Sequence, residues 1–421
     1  MKRWLAAPVL AGMCTMALAC GDDPTNPGTP ADTTLAGLRV AGDSQVQFLE
    51  TELINRLSIQ LVDRAGNPVA QTGVPVGWSV LAGGGVLATD GSVTTTGGVA
   101  TARWTMGPEP GTNRARVTVG NLQPVEFTAR AARQGPIVFV SSRHAGFRGN
   151  DFEGFPGDLF AMNEDGSDVI RIVTPRPEIN YSANPAWAPN GKILLFSLID
   201  PRPAGGIPGP VSLGVFWVSA TGFKEEQVPR TGFPPEVDFL EDPAWAPDNE
   251  RIVAHSTLDR QLYTMNFEST TNLTKLIGFG ESAHSPSWSP DGSRIAFACS
   301  SGGKTDICLV DSDGGGLENL TNGPAIDGEP DWAPDGSQIL FSRDSLLDGG
   351  IWVMNADGSG ERQLFAGRAT APSWAPDGTR FLMTWTPAAG RTDIYMVDVT
   401  TLETINLTNA GSLDRQAIWR R

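Results

Sequence analysis

Six times between Trp187 and the C-terminus the chain returns to one short phrase. It reads Trp187-Ala-Pro-Asn-Gly, Trp245-Ala-Pro-Asp-Asn, Trp288-Ser-Pro-Asp-Gly, Trp332-Ala-Pro-Asp-Gly and Trp374-Ala-Pro-Asp-Gly, and it ends as Trp419-Arg-Arg. The Trp-to-Trp spacings are 58, 43, 44, 42 and 45 residues. A period of about 40–45 residues, with short apolar runs between Gly/Pro turns, predicts a β-propeller. In that architecture function sits on the loops of the two faces, and the repeated tryptophans are core.

One full unit shows why the phrase has its form. Ile326-Asp-Gly-Glu-Pro-Asp-Trp332 is an inner strand, and Pro-Asp-Gly then makes a tight turn. Proline fixes φ there, aspartate bonds nearby backbone and glycine accepts φ > 0. Ile339-Leu-Phe-Ser342 has β character and predicts a second strand, Ile351-Trp-Val-Met354 a third and Arg362-Gln-Leu-Phe365 a fourth. Asn163-Glu-Asp-Gly, Asp311-Ser-Asp-Gly and Asn355-Ala-Asp-Gly mark the turns after third strands. Ile137–Ser142 and Leu159–Asn163 lack a Trp strand before them, while Ala417-Ile-Trp-Arg-Arg421 is a Trp strand with nothing after it. The C-terminal strand is therefore expected to complete the first of six blades, leaving no open sheet edge.

Leu320-Thr-Asn-Gly-Pro-Ala-Ile-Asp-Gly-Glu-Pro-Asp-Trp-Ala-Pro-Asp-Gly336 and the Asn-Ala-Asp-Gly turns closely resemble the repeat of the TolB-like six-bladed β-propeller, a WD40-like or PD40-type repeat. The resemblance covers residues 134–421. It implies a non-catalytic periplasmic binding scaffold that contacts a peptidoglycan-associated lipoprotein and a membrane-spanning protein. The N-terminal third departs from the family. The same repeat also builds the non-catalytic propeller of prolyl-oligopeptidase-like enzymes, so the fold leaves function open.

Residues 1–19 carry a basic start, Met1-Lys-Arg, and an uncharged apolar stretch from Trp4 to Ala19. This is too short to span a membrane and reads as an export signal. Ala17-Leu-Ala-Cys20 resembles a bacterial lipobox, which would leave Cys20 as a lipidated first residue; the other reading is an ordinary signal with an incidental cysteine. Residues 20–34, rich in Pro, Gly and Thr, read as a flexible tether. Gly21 leans the sorting towards the outer membrane, facing the periplasm. Of the four cysteines, Cys299 and Cys308 remain, on neighbouring strands where a turn at Gly303-Lys304 would set them directly opposite. They are either a disulfide or two reduced core thiols.

Residues 35–132 change pattern. Leu57–Val62, Val74–Val80, Val99–Trp104, Arg114–Val119 and Val125–Ala129 are short β-rich runs, about seven strands in all, and predict a β-sandwich. The order Asp63-Arg-Ala-Gly-Asn-Pro-Val, Val74-Pro-Val-Gly-Trp78 and a Gly-rich turn resembles bacterial Ig-like domains of the invasin type, which act as spacers or adhesive modules. The whole chain is thus expected to be all-β, with Trp78 packing the sandwich core unaided by a disulfide.

With 31 Lys and Arg against 47 Asp and Glu the formal net charge is −16, which disfavours nucleic acid and adsorption to anionic lipid. Three residues before each Trp stand Asn184, Asp242, Ser285, Glu329, Ala371 and Gln416; just upstream lie Glu241, His284, Asp327, Asp414 and Arg415. These predict a polar, mostly acidic ring at the channel mouth, either a docking site or a solvated loop ring. The loop from Ser142 to Pro156 carries Arg143, His144, Phe147, Arg148, Phe152 and Phe155, either a basic, aromatic lip over that mouth or a cap on the first blade.

Catalytic signals are thin. His144, His255 and His284 fall in different blades with no metal-ligand spacing, Gly280-Glu-Ser-Ala-His284 lacks the last glycine of a nucleophile elbow, and Asp311-Ser-Asp-Gly fails the calcium-loop template. No catalytic residue, metal or cofactor is implied. The reading is a monomeric, lipid-anchored binding scaffold of the cell envelope that presents its rim to an envelope or cell-wall-linked protein. Membrane contact would be through the N-terminal lipid alone. An envelope enzyme using rim carboxylates on carbohydrate or peptide, and a structural or adhesive surface module, stand as alternatives.

Overall fold

The computed structural model describes residues 35–421 apart from 49, 51, 54, 90, 92, 133–134, 144–156, 173–180, 200–210, 220–221, 228–239, 268–272, 277–279, 281, 388–390, 410 and 421. The fold is all-β, and no helix occurs among the described residues. Cys20, His144, Phe147, Arg148 and Phe152 lie outside them.

Between Gly37 and Ala132 the chain forms two four-stranded sheets. One runs Gly37–Ala41, Leu57–Val62, Val99–Thr105, Val86–Thr89; the other Gln45–Phe48, Val125–Ala132, Gly111–Val119, Val76–Ala82. Strands alternate buried and open positions, as a sheet with one face on a core requires. There are eight strands here and not seven, because the first breaks between Ala41 and Gln45 and its halves join different sheets. Gly42 sits at φ 87 and Ser44 at φ 60 in the break, and a Cβ at Gly42 would lie 2.3 Å from the Arg56 carbonyl oxygen. The Asp43 carboxylate holds the corner by accepting the Thr128 amide at 2.6 Å. Trp104 is wholly buried in this core, and Trp78, half-buried and 5.7 Å from Phe127, packs against it.

Six further four-stranded sheets follow from Ile137 to Trp419. Five are consecutive in sequence, each beginning with a strand that ends on a repeat tryptophan: Tyr181–Trp187, Leu240–Trp245, Ser282–Trp288, Ile326–Trp332 and Ala369–Trp374. The sixth joins Ile137–Ser141, Asp158–Met162 and Ile170–Arg171 to the C-terminal Asp414–Trp419, which pairs antiparallel with Ile137–Ser141. Each inner strand contacts the next, and Tyr181–Trp187 contacts Asp414–Trp419, a circuit of strand contacts among the described residues.

The core lies between neighbouring sheets. The second strands bury Phe139, Phe196, Phe297, Phe341 and Phe381 completely. One cluster unites Ile137 and Phe139 with Leu382, Ile394 and Met396 of the adjoining sheet and with Trp419. Side chains also clasp sheet to sheet. Arg251 lies over Trp288 at 5.0 Å and Arg380 over Trp419 at 5.3 Å, cation–π contacts reaching one sheet onward. The Trp374 amide donates to Asp331 at 2.7 Å, and the Trp332 amide to Ser287 at 3.4 Å. Between the N-terminal sheets and the rest, Arg130 grips Asp168 through Nε at 2.9 Å and Nη2 at 3.0 Å.

Candidate functional site

The six inner strands share one local irregularity. Their pairing register shifts at the residues two and three before the tryptophan. The first residue of each shift is left-handed: Asn184 (φ 49), Asp242 (50), Ser285 (50), Glu329 (53), Ala371 (49) and Gln416 (52). Pro185, Pro243, Pro286, Pro330 and Pro372 come next in five of them, and proline has no amide to give to a ladder. A bulge is the place where a strand tolerates such a residue, and it re-aims the side chain beside it. A non-glycine residue there costs about 1–2 kcal/mol. The cost recurs at six equivalent positions, so the repeat itself enforces it.

Those six residues line a cavity of about 1290 Å3. Its wall carries six carboxylates, from Glu241, Asp242, Glu329, Asp331, Asp344 and Asp348, against the two guanidinium groups of Arg343 and Arg368. Gln416 Nε2 donates to Asn184 Oδ1, and Asn184 Nδ2 donates in turn to Asp242 Oδ1, so three bulge residues from three sheets form a chain. Burial, and then the neighbouring Glu241 carboxylate, push Asp242 up to about 6. Glu329 Oε2 accepts the Ala371 amide at 2.6 Å and the Ser342 hydroxyl at 2.9 Å.

Beside Asp242 the topology gathers groups that are distant in sequence. His255 Nδ1 lies 3.2 Å from Glu241 Oε1, and the rings of His255 and His284 stand edge to face at 6.3 Å. Burial, then His255, hold His284 below the usual imidazole range. The sequence reading separates these histidines because they belong to different repeats; they are neighbours because those repeats are adjacent in the circuit. Among the described residues no group of three or more His, Cys, Asp or Glu is arranged to hold a metal ion.

Two residues expected on the acidic ring sit elsewhere. Asp327 is fully buried, and Arg343 clasps it through Nε at 2.7 Å and Nη2 at 2.8 Å. Asp414 is equally buried; it accepts Arg143 Nη2 at 2.7 Å and the hydroxyls of Ser141 and Ser412. Both stand five residues before a tryptophan, where the side chain turns into the sheet and needs a partner charge. Arg143, expected to overhang the mouth, is that partner for Asp414 and lies 5.3 Å over Phe139. Arg415 is half-buried and does not line the cavity; burial lowers its pKa. A disulfide joins Cys299 to Cys308, with Cα atoms 5.8 Å apart. The two are diagonal and not opposite: the hairpin turns at Gly302-Gly303, so Cys299 faces Asp306 and Cys308 faces Phe297.

Residues 237–368 match the family model of the TolB beta propeller domain (PD40). The region is similar to the TolB propeller. A stretch of 92 residues is 37% identical to the Tol-Pal system protein TolB of Anaeromyxobacter dehalogenans (strain 2CP-1 / ATCC BAA-258), covering 22% of this chain and 21% of that protein. The TolB of Anaeromyxobacter sp. (strain K) matches to the same extent. The chain thus spans about a fifth of the length of these curated relatives. Among solved structures, TolB from Acinetobacter baumannii superposes with a TM-score of 0.55 at 16% identity, over 74% of this chain and 80% of that one. A chain of the nidogen/laminin complex does so at 0.52 and 11%, over 68% and 98%. At such identities the structural likeness speaks for fold alone.

The cavity wall also contains residues the sequence reading passes over: Asp331, Asp344, Asp348, Arg368 and the pair Leu346-Leu347. Asp331 had a signal, since it precedes a repeat tryptophan where Ala186, Ala244, Ser287 and Ser373 stand in other repeats. Asp344 ends the strand Gln338–Asp344, and the others lie on connections whose direction only the folded chain reveals.

Proposed function

We propose that the chain is an exported binding scaffold, and that the acidic cavity at the meeting of its six inner strands docks an envelope or cell-wall-linked protein. The excess of carboxylates over guanidinium groups on the cavity wall carries this reading. Such a surface attracts a basic partner and tunes association more than raw affinity. In this reading the six sheets are the blades of a TolB-like propeller closed by Asp414–Trp419, and residues 35–132 are an Ig-like spacer. Cys20 carries the lipid that tethers the protein to the outer membrane on its periplasmic side. Support comes from the PD40 match and from relatives named as Tol-Pal system proteins, which make a Tol-Pal-like envelope role part of the proposal.

The test is a crosslinking pull-down from native envelope extract with the full chain beside its Glu241→Lys/Asp242→Lys variant. Capture of a defined protein, lost or made salt-insensitive in the variant, is the expected result. Equal capture by both forms overturns cavity docking.

One observation favours a second reading. An Asp242 carboxyl pushed up to about 6 keeps its proton in mildly acidic surroundings and suits a general acid, with Glu329 as the opposing carboxylate for glycan or peptide cleavage. Turnover of a glycan or peptide substrate that survives Asp242→Asn with Glu329→Gln excludes this pair.

A further inference from the structure

Leu346 and Leu347 are the most exposed large apolar side chains among the described residues, at 106% and 97%; Val86 follows at 65%. They form the tip of the connection between the strands Gln338–Asp344 and Gly350–Asn355, on the wall of the acidic cavity. The base of that connection is tied down. Ser345 Oγ accepts the Leu347 amide at 3.2 Å, and the Gly349 amide donates to the Ser345 carbonyl at 3.2 Å. Trp352 Nε1 and Gln363 Nε2 donate to the Asp348 carbonyl at 3.0 and 3.1 Å, and Gln363 also reaches the Gly349 carbonyl at 3.1 Å. A side chain at Gly349 would meet the Ser345 carbonyl oxygen at 2.6 Å, so the backbone closes tightly on itself. The ties hold the base of the loop while both leucines stand in water, where their apolar surface goes unburied.

We propose that Leu346 and Leu347 are a preformed anchor that inserts into an aliphatic pocket, ringed by lysine or arginine, on the protein docked at the cavity. This rests on the docking reading and adds the contact that supplies most of its affinity. Charge decides the kind of occupant. Asp344 and Asp348 bracket the leucines, with Arg343 Nη1 3.9 Å from Asp348 at the foot of the loop, and along the wall carboxylates outnumber guanidinium groups. The carboxylates match a basic rim around the partner's pocket and repel anionic lipid headgroups. Ile326, paired in register with Asp344 and 51% exposed, extends the apolar contact at the foot of the loop. A rigid apolar tip loses little freedom on insertion, which is what makes a few central residues dominate an interface.

The experiment places a benzophenone photocrosslinking residue at Leu347 of the full chain in intact envelopes, with Val86 as the control position. The expected result is one protein adduct at position 347, absent from the control, whose crosslinked residue maps to an aliphatic patch flanked by Lys or Arg. Leu346→Ser with Leu347→Ser should then weaken that protein's Kd tenfold or more while the melting temperature stays unchanged. A lipid adduct, retention on phosphatidylglycerol vesicles that the Leu→Ser pair abolishes, or no adduct beyond the control overturns the proposal. If the Leu→Ser pair binds like wild type while Glu241→Lys/Asp242→Lys does not, docking stands and the anchor falls. If neither variant alters binding, both fall.

Discussion

Asp242 shows how a single side chain can be set against its own fold. It is left-handed, hydrogen-bonded by Asn184 and placed next to Glu241, and its carboxyl is pushed up to about 6 from 3.8. The folded state therefore holds a proton that the unfolded chain has released between those two pH values, and stability falls as pH rises through that window. Asp242→Asn keeps the acceptor for Asn184 and removes the charge. It should be more stable than wild type by about 1–2 kcal/mol at pH 7, discounted for the residue's contact with the open cavity. The gain should vanish near pH 4, as thermal melts across pH would show; a gain independent of pH would contradict this origin. Arg343 is the converse. It neutralises a wholly buried Asp327, and Arg343→Ala strands that charge at an expected cost of about 3–5 kcal/mol in chemical denaturation. Asp327→Asn added to Arg343→Ala should recover part of the loss.

The Pro-Asp-Gly turn does two jobs at the level of the element. Asp335 accepts the Ser337 amide at 2.9 Å and Asp377 the Thr379 amide at 2.9 Å, so each turn closes on its own carboxylate. The glycine that follows sits at φ 74 in Gly336, and a Cβ there would come 3.2 Å from Pro290 in the turn of the preceding sheet. Gly292 stands in the same relation to Pro247, at 3.1 Å. The repeat phrase thus encodes the spacing between sheets as well as the turn within one. Gly336→Ala should cost about 1–2 kcal/mol from φ alone, measured by denaturant titration, with any excess reporting the clash with Pro290. An effect below a few tenths would show that the turn can reshape. Eight strands appear between Gly37 and Ala132 where about seven are expected, since a break at Gly42–Ser44 is a matter of backbone and leaves the apolar pattern intact.

For the whole molecule, the decisive element is the C-terminal strand. Asp414–Trp419 pairs with Ile137–Ser141 and buries Ala417 and Trp419 against residues from both ends of the repeat region. Deleting residues 414–421 opens the edge of Ile137–Ser141, uncovers its core face and strips Arg143 of its buried partner. The truncated chain should lose the cooperative melting transition of the full chain and aggregate, by calorimetry and light scattering. A cooperative melt within a few degrees of wild type would mean that the circuit does not depend on this strand.

Position in the repeat was legible from the residues alone: where each tryptophan, turn and apolar second strand falls, and that Asn184, Asp242, Ser285, Glu329, Ala371 and Gln416 occupy equivalent places. A periodic pattern carries that information because equivalent residues meet equivalent surroundings. Which carboxylates remain on the cavity wall was not legible. Asp327 and Glu329 are two residues apart, yet one turns into the sheet against Arg343 and the other faces the cavity, because a bulge separates their directions. Nor could sequence bring His255 to His284, or leave Leu346 and Leu347 bare on a tied loop. Those outcomes depend on contacts between sheets and across connections, and only the tertiary structure supplies them.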